Sequence, residues 1–420
     1  MKHNYNLYLK YWRPFGEVLT NMERYGFKID LPYLKDLQIQ AENDKKKYEQ
    51  KFLNWIRENQ SDAKEFNPGS SMQMQHLLFA PYFKNNVDPG STNFEELEAE
   101  GKYIPRVRSF RVQNLSGEIK EGREKPLKYR DMYVSGFGIP PVRYTPSGLP
   151  SADSASIKKI VGDPHNGKFG AAYDYFKNKL GEEEKGKEIS FALDNWVKLK
   201  ATETLLTTFI IPLQRSIGND GRIHCSLNIN TETGRLSARK PNLQNQPSYD
   251  KDIYKIRKAF IADKGNKLIV ADYGQLELRI LAHMTKCTNM IEAFRLGGDF
   301  HSRTAISMYP EINDKIESGE VLLEWDYSKG KPPVPLVKDV FSTERKKAKI
   351  MNFSIAYGKT SHGFAQDFNC TREEAQDIVD IWYKERPEVK KWQEEAQYIA
   401  STQGWTKTLL GRFRNLSRFF

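Results

Sequence analysis

Within the sequence RKKAKIMNFSIAYG, residues 345–358, Arg345, Lys349, Phe353 and Tyr357 recur four apart. On a helix, where successive residues turn by about 100°, they form one stripe of two cations and then two aromatic rings. Ala348, Met351 and Ile355 fall on the opposite face, where a helix packs on its own domain. Eight residues of helix rise about 12 Å, roughly the span from a terminal phosphate to a nucleoside. Arg345 and Lys349 have the charge to hold a triphosphate, and Phe353 and Tyr357 the faces to meet a sugar and base. A solvated basic face with two aromatics in a groove satisfies the same pattern.

Three further segments carry chemistry. Asp272 follows the apolar run Leu268–Ala271 and precedes Tyr273-Gly274, where the chain turns into a helix starting near Gln275. A carboxylate at a strand end suits Mg²⁺ shared with substrate phosphates, or it merely caps the helix that follows. Glu277, one turn in, either complements the helix dipole or shapes a sugar pocket. In GGDFHSRTA, Asp299 is a natural N-cap and puts His301 at a helix N-terminus, a place that suits an anion. In TETGRLSARKPNLQNQP, residues 231–247, a glycine and Arg235 are followed by Asn242 and Gln244. These groups read groove edges and phosphates; equally, they make a polar turn.

The elements that must position these groups are mainly helical. Residues 1 to about 80 read as helices, with Asp30 and Pro32 as a start signal. Residues 84–150 are rich in Gly, Pro and isolated charges and read as a basic, loop-rich insertion. Helical periodicity returns over 154–180 and 191–211. Ile223, Cys225, Leu227 and Ile229 alternate with polar residues, as in a half-buried strand. Leu268–Ala271 reads as a second strand. Helices then dominate to the end, broken by GKPPVPL at 330–336. The predicted class is α+β, helix-dominated.

Composition narrows the partners. The 420 residues allow two or three packed units, and 39% hydrophobic residues supply real cores. Sixty-five Lys and Arg against 54 Asp and Glu leave a charge of +11, which favours a polyanion such as nucleic acid. Three scattered cysteines argue against a disulfide framework or a zinc site. The longest apolar run, near 205–213, is too short to span a bilayer, and no signal or transit peptide is visible.

The order TETGRLSARKPNLQNQP, VADYGQLELRILAH, GGDFHSRTA, ERKKAKIMNFSIAYGKT and TLLGRFR resembles family A DNA polymerases, the bacterial polymerase I type. FGAAYDYF, GEVLLEWDYSKGKPPVPL and NFSIAYGKT are similar more narrowly to the plant and protist organellar branch. The resemblance runs from about Tyr11 to Arg414. FNPGSSMQMQHLLF at 66–79 looks like the segment that opens the family's thumb.

The resemblance implies a right-hand architecture: a thumb over 1–215 holding the insertion at 84–150, the first part of the palm over 216–300, and fingers over 301–420. It implies addition of dNTPs to a primer 3′-hydroxyl, aided by two Mg²⁺ ions. Asp272 and the Tyr273 carbonyl would bind metal. Arg345, Lys349 and His301 would bind the triphosphate, with Lys349 also acting in catalysis. Gln275, Glu277, Phe353 and Tyr357 would complete the dNTP pocket, Glu277 excluding a 2′-hydroxyl. Arg235, Asn242, Gln244, Lys198, Arg412 and Arg414 would contact DNA. Implied partners are primer–template DNA, dNTPs and organellar replication proteins, with no membrane; the implied place is the mitochondrion or plastid.

Some wording departs from the family. Its second metal-binding aspartate belongs to a His-Asp-Glu motif beyond GRFR, and no such motif occurs before Phe420. The proofreading exonuclease that often precedes the family's thumb is not expected in this polypeptide. Ser248-Tyr249 stands where bacterial members carry a basic residue, while Gly274 and Ser354 fit the organellar wording. One carboxylate cannot hold two Mg²⁺ ions against their mutual repulsion, so the expectation is little or no synthesis by this polypeptide alone and activity in a longer parent. The alternatives are a catalytically inert primer–template-binding module and a phage-type RNA polymerase, against which Glu277 and TGRLS both argue.

Overall fold

The computed structural model describes residues 2–84, 94–249, 251–297, 299–368 and 370–416, so part of the insertion (85–93) lies outside the described residues. The chain forms two compact units, one of Leu19–Leu268 and one of Met1–Val18 with Ile269–Phe420.

In the first unit, the helix Leu31–Asn59 begins where Asp30 accepts from the Tyr33 amide at 3.0 Å, with a proline in its first turn, as the sequence signals. Phe52, Trp55 and Ile56 on this helix meet Leu77 and Leu78 of Ser71–Phe79 and Leu193 and Trp196 of Glu183–Leu205 in one core. A smaller core gathers Leu34, Leu206, Ile210 and Ile256. Over it lies a three-stranded antiparallel sheet in the order 260–261, 27–29, 222–223.

Two readings need revision in this unit. The half-buried strand expected from Ile223 to Asn230 is divided into 222–223 and 226–228, which pair with different partners. His224 interrupts it, bonding through Nδ1 to the Glu23 carbonyl at 2.8 Å and through Nε2 to Asp220 at 3.0 Å. The periodic stretch 154–180 is also broken: the helix Ser154–Val161 stops at Gly162, whose φ of +74° ends it.

Residues 94–150 of this stretch hold more regular pairing than its composition suggests. Val107–Gln113 and Tyr129–Ser135 form an antiparallel ribbon pairing Phe110 with Met132 and Arg108 with Val134. Arg130 fastens it to the chain after Asn59, reaching Asp62 at 2.6 Å and Glu65 at 2.8 Å. Gly136 seats the end of the ribbon, because a Cβ there would lie 2.2 Å from the Ala80 carbonyl oxygen.

Among its described residues the second unit is helical, with one hairpin, Trp405–Lys407 against Phe413–Asn415. Its main core joins Leu278 and Leu281 of Leu276–Thr285, Phe300 of Phe300–Met308, Met351 and Ile355 of Ser342–Ala356, and Trp382 of Arg372–Lys384. The expected strand at Leu268–Ala271 does not form. No described strand pairs with it, and Ile269 and Val270 are 91% and 93% exposed. An apolar strand persists only when neighbours satisfy its backbone groups.

Candidate functional site

The cation-and-aromatic stripe lies on Ser342–Ala356, and the helix buries the side predicted for it: Ala348, Met351 and Ile355, together with Asn352. Tyr357 caps the helix and Gly358 follows at φ +72°, so the second ring stands at the helix end. The Phe353 and Tyr357 rings are nearly parallel, with centroids 6.4 Å apart.

Asp299 caps Phe300–Met308 as expected, accepting from the Ser302 amide at 3.1 Å. It also does something the sequence did not disclose. Its two oxygens take a fork of hydrogen bonds from Arg345, through Nε and through Nη2, the latter at 2.9 Å. Burial pushes the Asp299 carboxyl up, but Arg345 and Ser302 outweigh it and hold the pKa below the ordinary value. Arg345 is thereby already paired, its guanidinium oriented by the Asp299 carboxylate. Gln275 adds a bond from Nε2 to Asp299 at 3.1 Å. Only a pairing between distant segments joins Asp299 to Arg345, which no local spacing encodes.

His301 is 3% exposed, with its ring 5.7 Å from that of Phe353. Its pKa falls to about 4, chiefly through burial, with Arg345 and Lys349 lowering it further and Asp299 opposing. It is therefore neutral at pH 7. Lys349 is exposed on the same face of the long helix. Glu277 receives a hydrogen bond from the Tyr357 hydroxyl at 2.5 Å, which ties the first turn of Leu276–Thr285 to the end of the stripe. The stripe, His301, Gln275 and Glu277 thus belong to one constellation.

Asp272 and Tyr273 are exposed in the irregular stretch before that helix. Among the described residues, no group of three His, Cys, Asp or Glu side chains gathers in a way that could hold a metal ion. What is present is one carboxylate with a main-chain carbonyl beside it, a donor set for an ion that takes its other ligands from phosphates and water.

A cavity of about 550 Å³ adjoins Arg345, lined also by Gln275, Asp299, Trp325, Lys329 and Lys338. Trp325 and Lys329 belong to GEVLLEWDYSKGKPPVPL at 319–336, and no local signal in that segment shows that it reaches the arginine. A second cavity, of about 570 Å³, opens at the end of the stripe between Tyr357, Lys359, Arg372, Tyr383, Trp392 and Gln393.

The remaining expected contacts lie elsewhere. In the first unit, Arg235 is exposed in the loop joining 226–228 to 237–239. Asn242 caps the short turn that follows, accepting from the Gln244 amide at 3.0 Å, and Gln244 bonds the Leu236 carbonyl at 3.2 Å. Lys198 is held by Asp194 at 2.6 Å and His165 at 2.9 Å. In the second unit, Arg412 lies over the Trp12 ring at 4.6 Å, and burial with the nearby Arg414 lowers its pKa. Arg414 sits in the hairpin opposite Thr406.

The profile of DNA polymerase family A matches residues 179–320 and 333–419. The chain is 43% identical to DNA polymerase I B, chloroplastic/mitochondrial, of Arabidopsis thaliana, over all of this chain and 44% of that one. It is 43% identical to the mitochondrial DNA polymerase I B of Oryza sativa over 98% of this chain and 42% of that one. The polymerase domain of Pol1 from M. smegmatis, solved with DNA primer–template and dNTP, superposes with a TM-score of 0.63 at 24% identity, over 98% of this chain and 53% of that one. The chain belongs to DNA polymerase family A and has its helix-dominated α+β fold. It spans less than half the length of these plant relatives.

Proposed function

We propose that this chain is the nucleotide-selecting and DNA-gripping part of an organellar DNA polymerase that adds dNTPs to a primer 3′-hydroxyl. The observation that carries the reading is the constellation of Arg345, Lys349, His301 and Glu277 on elements packed around one core. In it, Lys349 and Arg345 take the triphosphate as cations and His301 as a neutral donor. Phe353 packs on the sugar, Tyr357 stands near the templating base, and Glu277 fills the space a 2′-hydroxyl would need. Gln275 holds Asp299, which in turn orients Arg345.

Family A DNA polymerases use divalent metal ions. Here Asp272 and the Tyr273 carbonyl would hold Mg²⁺, which would supply charge stabilisation at the reacting phosphates. Arg235, Asn242, Gln244, Lys198, Arg412 and Arg414 would follow the duplex. Residues 1–215 would act as thumb, 216–300 as palm and 301–420 as fingers. The names of the plant relatives support work in mitochondria or plastids, beside organellar replication proteins. No helix among the described residues is long and apolar enough to cross a membrane.

The test is dNTP affinity on a primer–template whose primer ends in a dideoxynucleotide, so that binding is read without chemistry. Lys349→Ala should weaken it by roughly tenfold, about 1.4 kcal/mol. Lys346→Ala, also exposed on this helix but off the stripe, should leave it unchanged. Equal effects would refute the assignment.

A further inference from the structure

Asn352 lies fully buried on the core side of Ser342–Ala356, at the centre of a small polar chain within an apolar core. The Trp382 indole Nε1 donates to its Oδ1 at 2.9 Å. An indole N–H only donates, so the amide oxygen must face Trp382. That turns the amide nitrogen toward Thr304 Oγ1, at 3.0 Å, and His301 Nδ1, at 3.2 Å. The nitrogen of a carboxamide can only donate, so His301 Nδ1 must accept with its lone pair. A neutral ring accepting at Nδ1 carries its proton on Nε2.

We propose that Trp382 and Asn352 are positioning residues that fix His301 as the neutral Nε2–H tautomer, so that it meets the nucleotide's phosphates as a hydrogen-bond donor and not as a cation. The donor and acceptor rules run one way along the chain, from indole to amide to imidazole, and leave no second arrangement in which every buried group is satisfied. Among the described residues, the elements packed on His301 add no base that would reverse it. Its own helix contributes Asp299, committed to Arg345, and Ser342–Ala356 contributes Arg345 and Lys349. Arg372–Lys384 presents the indole. The site's positive charge therefore comes from Arg345 and Lys349, while His301 supplies direction.

The assignment of His301 to phosphate rests on the reading above; the tautomer does not. With only seven histidines in the chain, ¹⁵N-histidine labelling followed by NMR reads the ring directly, without nucleotide. The wild type should show a pyridine-type Nδ1 and a pyrrole-type Nε2 throughout pH 6–8. Asn352→Asp presents an acceptor to Nδ1 and should move the proton there or charge the ring, making dNTP affinity vary across pH 6–8. Trp382→Phe keeps the ring but frees the amide to turn, and should give a mixture of tautomers; it also serves if the aspartate variant does not fold. A wild-type ring protonated at Nδ1, or a tautomer unmoved in both variants, would overturn the proposal. Full dNTP affinity in His301→Gln, with the tautomer as expected, would instead refute the phosphate role alone.

Discussion

At the scale of single residues, the site is a set of groups held in place by the partners behind them. Arg345 is braced by Asp299, and Glu277 is held by Tyr357. If Glu277 stands where a 2′-hydroxyl would go, Glu277→Ala should narrow the preference for deoxy- over ribonucleotides by roughly tenfold, about 1.4 kcal/mol. Competitive binding to a dideoxy-terminated complex measures this, and an unchanged ratio would remove Glu277 from the sugar pocket. His301 makes a separate statement about stability. Its pKa is about 4 when folded and about 6.5 when unfolded, so between those values the unfolded chain binds a proton that the native chain refuses. Stability from this group is complete above about pH 6.5 and is lost as pH falls toward 4. Denaturation midpoints between pH 4.5 and 7 should rise less steeply in His301→Gln. Buried His76, lowered for the same reason, keeps some slope in both proteins. Identical slopes would show that burial does not suppress the charge of His301.

At the scale of elements, what the sequence disclosed and what it hid divide along physical lines. Helices announced themselves where their signals are local. Asp30 before Pro32 starts Leu31–Asn59, Asp299 caps the helix bearing His301, and the buried face of Ser342–Ala356 follows from its period. The stripe itself was legible for the same reason. Features that depend on distant pairing were not. The ribbon 107–113 with 129–135 hides in a polar, glycine-rich stretch, although Phe110 with Val112 and Met132 with Val134 carry a short alternation. Conversely, Leu268–Ala271 has a strand's composition and no described partner. The Asp299–Arg345 and Trp382–Asn352–His301 contacts bring together residues 30–51 positions apart. Packing energetics can be tested at the same scale. Phe52 is fully buried, 6.3 Å from Phe66 and 5.9 Å from Trp55 between ring centroids. Phe52→Ala should cost the first unit about 3–5 kcal/mol in chemical denaturation. A loss under about 1 kcal/mol would mean that this core repacks freely.

At the scale of the molecule, the candidate residues are shared between two compact units. The unit of Met1–Val18 with Ile269–Phe420 holds Arg345 and Lys349, proposed above to take the triphosphate, with the aromatic rings and Asp272. The unit of Leu19–Leu268 holds Arg235, Asn242 and Gln244 on polar turns, proposed above to follow the duplex. A net charge of +11 gives the chain a general attraction to nucleic acid, but charge alone binds any polyanion. Selection of the nucleotide by the template is what separates a polymerase from a basic DNA-binding module. The decisive measurement is therefore the equilibrium affinity of the 420-residue chain, on a dideoxy-terminated primer–template with Mg²⁺, for the dNTP that pairs with the template base and for the three that do not. The account predicts that the paired dNTP binds at least roughly tenfold more tightly, about 1.4 kcal/mol, whichever base the template presents. Equal affinity for all four, with DNA binding intact, would contradict it.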